Sequence, residues 1–343
     1  MKFIHIADLH LDTPLVSLKN NRELIKQRRT EHRQVFKDVV KLARDAKAQI
    51  LFISGDLFEQ KFIEKNTIEF IINTLQLIPD TKVFITPGNH DPYIKNSPYR
   101  TYKWPDNVTI FDSKIQKVSL EYIDVYGFGF EDYEMNSNEL AEFKVDNEKK
   151  VNVLITHGNI GSKSKYNDLN LKDLAKFDYV ALGHIHLKKL DNNIVYPGAL
   201  VSCGFDECGE HGLVMGNLEK DNITYEFKNM EYTHFDTREI DISNVHVPND
   251  VLDLLDLKDD IYKIYLKGAR NVDVKDICDL IKAFSKNVCE IKDETHLPYN
   301  LEEIAKSKTL KGIFVKKMLE ELKNSPNDKE EIMKAIEITF ASL

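Results

Sequence analysis

The sequence predicts an α+β chain in which two β sheets stack as a layered sandwich with helices, followed by a small β-α-β module and a helical tail. Three observations carry this. Over roughly the first two hundred residues, short and nearly continuous apolar runs alternate with stretches of helical spacing. After about residue 105 the strands become shorter and are separated by turns, which points to a second sheet. Near residue 231 the composition shifts again, and 343 residues exceed the roughly 100–200 expected of one domain.

The elements follow in order. FIHIA (3–7), ILFIS (50–54), KVFIT (82–86), VNVLIT (151–156) and DYVALG (178–183) suit strands buried on both faces. Helices are expected over 30–48 and 64–78, with Val35, Phe36, Val39, Val40, Leu42 and Ala43 on one face of the first. NVTIF, KVSL and IDVYGFGF supply strands of the second sheet. REIDIS, DDIYKIYLKG, VKDICDLIKAF and VCEIK read as the separate module. Beyond His296, two amphipathic helices are expected over 300–323 and 328–342, broken at Pro326 and Asn327. Their stripes are Leu310, Ile313, Phe314, Met318, Leu319 and Leu322, then Ile332, Ile336 and Phe340. The expected domains are 1–230, 231–297 and 298–343.

Composition narrows the class. No apolar run reaches the roughly 18 residues of a membrane span. Asp8 interrupts the N-terminus before a signal-peptide core can form, and four cysteines make no disulfide framework in a chain this long. The expectation is a reduced, cytoplasmic protein. The net charge of -9 does not exclude a polyanionic substrate, because carboxylates that hold divalent cations create a positive site once loaded.

Five segments put Asp, His or Asn directly after an expected strand: Asp8-Leu9-His10, Gly55-Asp56, Gly88-Asn89-His90-Asp91, Thr156-His157-Gly158 and Gly183-His184-Ile185-His186. Side chains at such positions emerge into the crevice at the carboxyl edge of a sheet. Alternation along an extended chain sets Asp8 with His10, and His184 with His186, on one side. Borderline divalent metals accept this mixture of imidazole and carboxylate. A pair of ions about 3.5–4 Å apart needs a bridging carboxylate, for which Asp56 is the candidate. Such a pair polarises phosphoryl oxygens and acidifies water, the chemistry of phosphoester hydrolysis. The neighbouring glycines are expected to let the backbone turn sharply.

This ordered set resembles the calcineurin-like metallophosphoesterase superfamily from residue 1 to about 215. The resemblance implies a four-layer αββα sandwich with an α/β capping domain and a C-terminal helical tail. It implies that Asp8, His10, Asp56 and His186 hold one ion, and Asp56, Asn89, His157 and His184 the other. His90 would contact the scissile phosphate and protonate the leaving oxygen, and Asp91 would fix the loop. ADLHLDTP, ISGDLFEQ, ALGHIHLKK, YPGAL and SPYRTYKWPDNVTIF are similar to the SbcD/YhaO branch of DNA-repair exonucleases. That branch implies a DNA exonuclease, alternatively also an endonuclease, with two divalent ions: manganese first, magnesium, iron or zinc otherwise. It implies DNA and an SbcC-like coiled-coil ATPase as partners, the latter docking on the tail; packing within the chain or in a homodimer is the alternative. The chain departs from the pattern at Glu59, where Asp is frequent, and at Gly158, where many relatives have Gln. A small-molecule phosphodiesterase or phosphatase is the competing function.

Two further stretches mix charge with aromatics. Lys19 to Arg33 carries six cations against two anions, with Arg28, Arg29 and Arg33 as candidate phosphate contacts. Tyr99, Arg100 and Lys103, with Tyr93, Lys95, Tyr102 and Trp104, could stack bases and track a backbone. His211 draws attention because it follows FDECGE.

Overall fold

The computed structural model describes residues 1–343 except 20, 137, 138, 162, 163, 231, 326, 327 and 343. The chain divides into two compact units, Met1–Asp236 and Thr237–Leu343. The first begins with parallel strands β1 (Lys2–Ile6), β2 (Ile50–Ser54), β3 (Lys82–Thr86) and β4 (Val108–Ile110). Helices α1 (Arg22–Asp45) and α2 (Lys65–Leu75) cross between them, and the four-residue α3 spans Pro98–Thr101.

A second sheet then forms from β5 (Gln116–Ser119), β6 (Ile123–Gly127), β7 (Val151–His157), β10 (Tyr179–Gly183), β11 (Lys189–Asp191) and β12 (Ile194–Tyr196). Its order is β11-β12-β10-β7-β6-β5, parallel at its centre and antiparallel at both edges. A short pair, β8 (Asn159–Ile160) and β9 (Asp168–Leu169), stands beside it. The chain returns through β13 (Gly212–Asn217) and β14 (Thr224–Asn229), completing the first sheet as β14-β13-β1-β2-β3-β4.

Alternation within the strands builds the layers. On β1 and β2, Ile4, Ile6, Leu51 and Ile53 face α1 and α2, while Phe3, Ile50 and Phe52 face the second sheet. Phe3, Phe52, Phe84 and Phe111 form a row with successive centroids 6.0 Å apart. Burying each such ring contributes about 1.5–3 kcal/mol. The outer face of the second sheet, with Leu154, Val180 and Leu182, is covered by Leu140, Leu169, Phe177 and the one-turn helix α4 (Leu171–Leu174).

Helix α1 starts eight residues earlier than its apolar spacing suggests. Asn21 caps it by accepting from Leu24 N at 3.1 Å. Its buried stripe runs Leu24, Arg28, His32, Val35, Phe36, Val39, Val40 and Ala43, so two polar side chains occupy core positions and hide the periodicity.

The second unit pairs β15 (Phe235–Asp241), β16 (Ile261–Lys267) and β17 (Val288–Asp293) under α5 (Val274–Phe284). Among the described residues its tail forms three helices rather than two: α6 (Leu301–Ile304), α7 (Leu310–Asn324) and α8 (Lys329–Ser342). Thr309 caps α7 by accepting from Gly312 N, which splits the expected 300–323 helix. The Pro326–Asn327 break lies outside the described residues. Val315, Ile332, Ile336 and Phe340 pack together with Phe314, Met318, Leu319 and Leu322, whereas Leu310 and Ile313 stay exposed. Among the described residues no helix is long and apolar enough to cross a membrane.

A buried polar bridge centred on His5 joins the two sheets. His5 places Nδ1 3.1 Å from the Tyr179 hydroxyl and Nε2 2.9 Å from Ser54 Oγ, with no exposure. Burial lowers its pKa to about 3, so it folds as the neutral ring. The unfolded chain takes up this proton near pH 6.5, so the neutral ring contributes its full stability above that value and loses it as pH falls toward 3. His5→Gln keeps hydrogen-bonding groups without titrating. Denaturant curves should show wild type losing on the order of a few kcal/mol relative to His5→Gln between pH 7 and 4. Parallel pH profiles would assign the acid sensitivity elsewhere.

Candidate metal centre

The register aligns the carboxyl ends of the strands that deliver the site. Ser54 pairs with Thr86 in the first sheet, and Gly183 with His157 in the second. Asp8, Asp56, Asn89, His157 and His184 lie at or just beyond these ends, where both sheets open into one crevice.

Among the described residues, three groups have ligand atoms all within 4.8 Å of one another: Asp8, His10 and His186; Asp56, His157 and His184; and His10, Asp56 and His90. Asn89 joins the second, its Oδ1 3.1 Å from His157 Nε2 and 3.0 Å from His184 Nδ1. Asp56 stands between them. Its Oδ2 is 3.2 Å from His157 Nε2 and 3.8 Å from His10 Nε2, while Oδ1 accepts from His90 N at 2.8 Å. A carboxylate facing both groups is what a bridge requires.

The electrostatics suit cations. Burial pulls His157 and His186 down, but Asp56 and Asp8 around the first, and Glu207 and Asp8 around the second, outweigh it and raise both to about 9. His186 Nε2 lies 3.1 Å from His10 Nε2. His184 goes the other way: burial and the charge of His157 lower it to about 4, leaving a neutral ring. Carboxylates, imidazoles and a carboxamide at these spacings fit divalent transition ions.

The local backbone explains the geometry differently from the sequence reading. Asp8 and His10 are not on a pleated strand: their φ angles are 51° and 48°, and Asp56 and His184 stand at 51° and 97°. Turns, not alternation, bring these pairs together, and such φ values at non-glycine residues cost about 1–3 kcal/mol each. Two of the glycines are needed for room rather than for turning. A Cβ on Gly88 would lie 2.2 Å from Asp56 Oδ1, and one on Gly183 would lie 2.0 Å from the Ser54 carbonyl.

Residues 1–188 of the 343 match the family model for calcineurin-like phosphoesterases. The chain belongs to this family. It is 25% identical over 261 residues to the uncharacterized metallophosphoesterase YhaO of Bacillus subtilis, covering 71% of this chain and 64% of that protein. It is also 25% identical over 276 residues to the DNA double-strand break repair protein Mre11 of Methanopyrus kandleri, covering 68% and 58%. The chain thus spans about three fifths of the length of these relatives. A dimetal phosphatase from Danio rerio matches in structure with a TM-score of 0.42 and 11% identity, over 67% of this chain and 96% of that one. The Asp/His cluster of this calcineurin-like phosphoesterase can hold metal.

Several expected residues need correction. Arg28 cannot grip a DNA backbone: it is fully buried, with Nη1 donating to Glu31 and the Thr233 carbonyl and Nη2 to the Ser202 carbonyl. Arg33 is held by Thr67 and Asp12, which leaves Arg29 as the exposed member of that trio. Tyr99 is buried, packs on Phe58 and Trp104, and donates its hydroxyl to Asp91 at 2.6 Å. Arg100 and Lys103 remain exposed, with Arg100 5.2 Å above the Tyr93 ring. His211 bonds the carbonyls of Ala199 and Glu207. Asp91 accepts from the amides of Asp56, Leu57 and Gly88, which fixes the loop.

Two carboxylates beside the ligands escape sequence reasoning. Glu59 takes Nδ1 of both His10, at 2.9 Å, and His90, at 3.0 Å, and Glu207 takes Nδ1 of His186 at 2.5 Å. Glu59 showed only as a departure from a pattern, and Glu207 comes from 21 residues beyond its histidine, so no spacing rule reaches it. His90 itself is the open member of the set, its side chain 43% exposed. His90→Ala is expected to keep two ions by metal analysis while turnover falls about 10²–10⁴-fold, the worth of a proton-transfer residue. Loss of an ion would make His90 a ligand.

Proposed function

We propose that this protein is a metal-dependent DNA exonuclease, with endonuclease action as a variant of the same chemistry, serving DNA repair. The reading rests first on Asp56 Oδ2, which faces His157 and His10 together. In it, Asp8, His10, Asp56 and His186 hold one ion and Asp56, Asn89, His157 and His184 the other. Two such ions, manganese foremost, supply Lewis acidity toward a phosphoryl oxygen and an acidified water. The chain's own residues do the rest. Glu59 keeps Nδ1 of His90 occupied and turns Nε2 into the crevice, where it can give a proton to the leaving oxygen. Asp91 and Tyr99 hold the loop that carries His90.

DNA as substrate is supported by the relatives named for double-strand break repair and by exposed Arg100 and Lys103 near the crevice loop. A small phosphodiester is the second reading, favoured by the structural use of Arg28 and Arg33, which thins the expected cationic track. Labelled single- and double-stranded DNA and a small nucleotide phosphodiester, each incubated with manganese or magnesium, separate the two. Wild type should cleave DNA with manganese, and Asp56→Asn should lose at least about 10²-fold while staying folded. Cleavage of the small ester alone, or a fully active Asp56→Asn at saturating manganese, overturns the reading.

Residues 231–297 are proposed as a capping module and residues 298–343 as a partner-binding tail, with an SbcC-like coiled-coil ATPase as the partner. Leu310 and Ile313 on α7 and Ile338 on α8 are 76%, 62% and 63% exposed, an apolar set that the tail's own core does not use. Such anchors suit a helix-in-groove contact. Leu310→Glu with Ile313→Glu should abolish co-purification with that ATPase and leave cleavage of short single-stranded DNA intact. Undiminished co-purification would count against the tail as the docking element.

A further inference from the structure

The ring of His186 is fixed from a distant loop, and a buried arginine fixes that loop. His186 lies beyond the end of β10, and the Gly183–His184 turn that precedes it has left the strand. Its ring is held at Nδ1 by Glu207, 2.5 Å away, and its carbonyl by Ala199 N at 2.9 Å. Both partners belong to the irregular segment between β12 and β13.

That segment has no ladder of its own. Glu207 turns its second oxygen to Cys203 N at 2.8 Å, which sets the carboxylate plane within the loop. The loop is tied to α1 by Arg28, whose Nη2 donates to the Ser202 carbonyl and whose Nη1 donates to the Thr233 carbonyl, each at 2.6 Å. Arg28 has no exposure at all, and its guanidinium lies 5.6 Å from the Phe235 ring centroid. Burying a guanidinium costs several kcal/mol, and a methionine of similar length would fill the space without that cost. What methionine cannot do is reach two inward-facing carbonyls at once from one rigid fork.

We propose that Arg28 and Glu207 are positioning residues for His186: Arg28 holds the 202–207 loop so that Glu207 presents one oxygen to His186 Nδ1 and leaves Nε2 aimed at His10. The consequence is selective. The Asp8–His10–His186 group depends on this brace, whereas Asn89, His157 and His184 hold one another and Asp56 directly. Partners of this kind orient imidazole ligands and are worth about 10–100-fold in metal affinity. The inference rests on His186 as a metal-holding residue and is independent of DNA as the substrate.

The test uses the full chain with manganese alone and histidine-labelled protein. In the metal-free protein, the His186 Nδ1 proton on Glu207 should give a downfield, slowly exchanging resonance. Glu207→Gln should shift it upfield, and Arg28→Lys, which preserves charge but not the fork, should broaden or remove it while circular dichroism stays unchanged. Both variants should weaken one ion of the pair by about 10–100-fold and leave the other. His186→Ala must lose that same ion, and its failure to do so would remove the ligand assignment on which the inference stands. A His186 resonance and two manganese affinities unchanged in Arg28→Lys would reduce Arg28 to packing. The same result in Glu207→Gln would overturn the proposal outright. Should Arg28→Lys not fold, Glu207→Gln decides alone, since the Glu207 carboxylate bonds His186 and Cys203 N directly.

Discussion

Asp56 is 1% exposed at the line where two sheets meet, and burial alone would push its carboxyl toward the neutral acid. The imidazoles of His157, His10 and His90 hold it as the anion instead, well below the usual carboxylate range. Most features of the crevice answer to this one interaction. His157 reaches Asp56 from the second sheet, so the two sheets must keep a fixed separation at their carboxyl ends. His10 reaches it from the loop after β1, and the His90 amide from the loop after β3. An anion surrounded by three imidazoles offers the mixed donor set that a divalent transition ion takes.

The same demand explains where strain and glycine fall. Bringing Asp8, His10, Asp56 and His184 onto one point puts their backbones at positive φ, a conformation that side chains disfavour. The surrounding packing holds them there. Gly88 and Gly183 leave the space in which Asp56 and the Ser54 carbonyl sit, so the glycines serve the ligands across the crevice rather than the turns they lie in. Strain of this kind is tolerated because the Phe3–Phe52–Phe84–Phe111 row and the helix-facing strand residues supply stability elsewhere.

Three further carboxylates stand beside this centre: Glu59, Glu207 and Asp91. Glu59 is held as the anion, its pKa lowered to about 2 because His10 and His90 outweigh the effect of burial. Glu207 is likewise lowered by His186 against burial. Each occupies a histidine Nδ1 and so directs the other nitrogen inward, the arrangement that a metal-holding imidazole needs. Asp91 differs: burial and the neighbouring Asp56 raise it to about 6, and three backbone amides with Tyr99 use it as a structural knot.

The strands, the layered class and the polar residues at strand ends were legible by sequence alone, because apolar runs report burial and a polar residue directly after such a run reports a sheet edge. FIHIA, ILFIS and DYVALG became β1, β2 and β10 within a residue or so. The start of α1 was not legible, since Arg28 and His32 occupy its buried stripe where periodicity expects apolar side chains. Nor was the difference between Arg28 and Arg29, or between Tyr99 and Arg100. A basic or aromatic letter carries no sign of whether two carbonyls or a carboxylate wait for it inside. The sequence by itself determined which chemistry could gather at the crevice. Only the tertiary structure decided which carboxylates orient the imidazoles and which cations are consumed in holding loops, because those contacts join residues 21 to 174 positions apart, where only the folded chain sets distance.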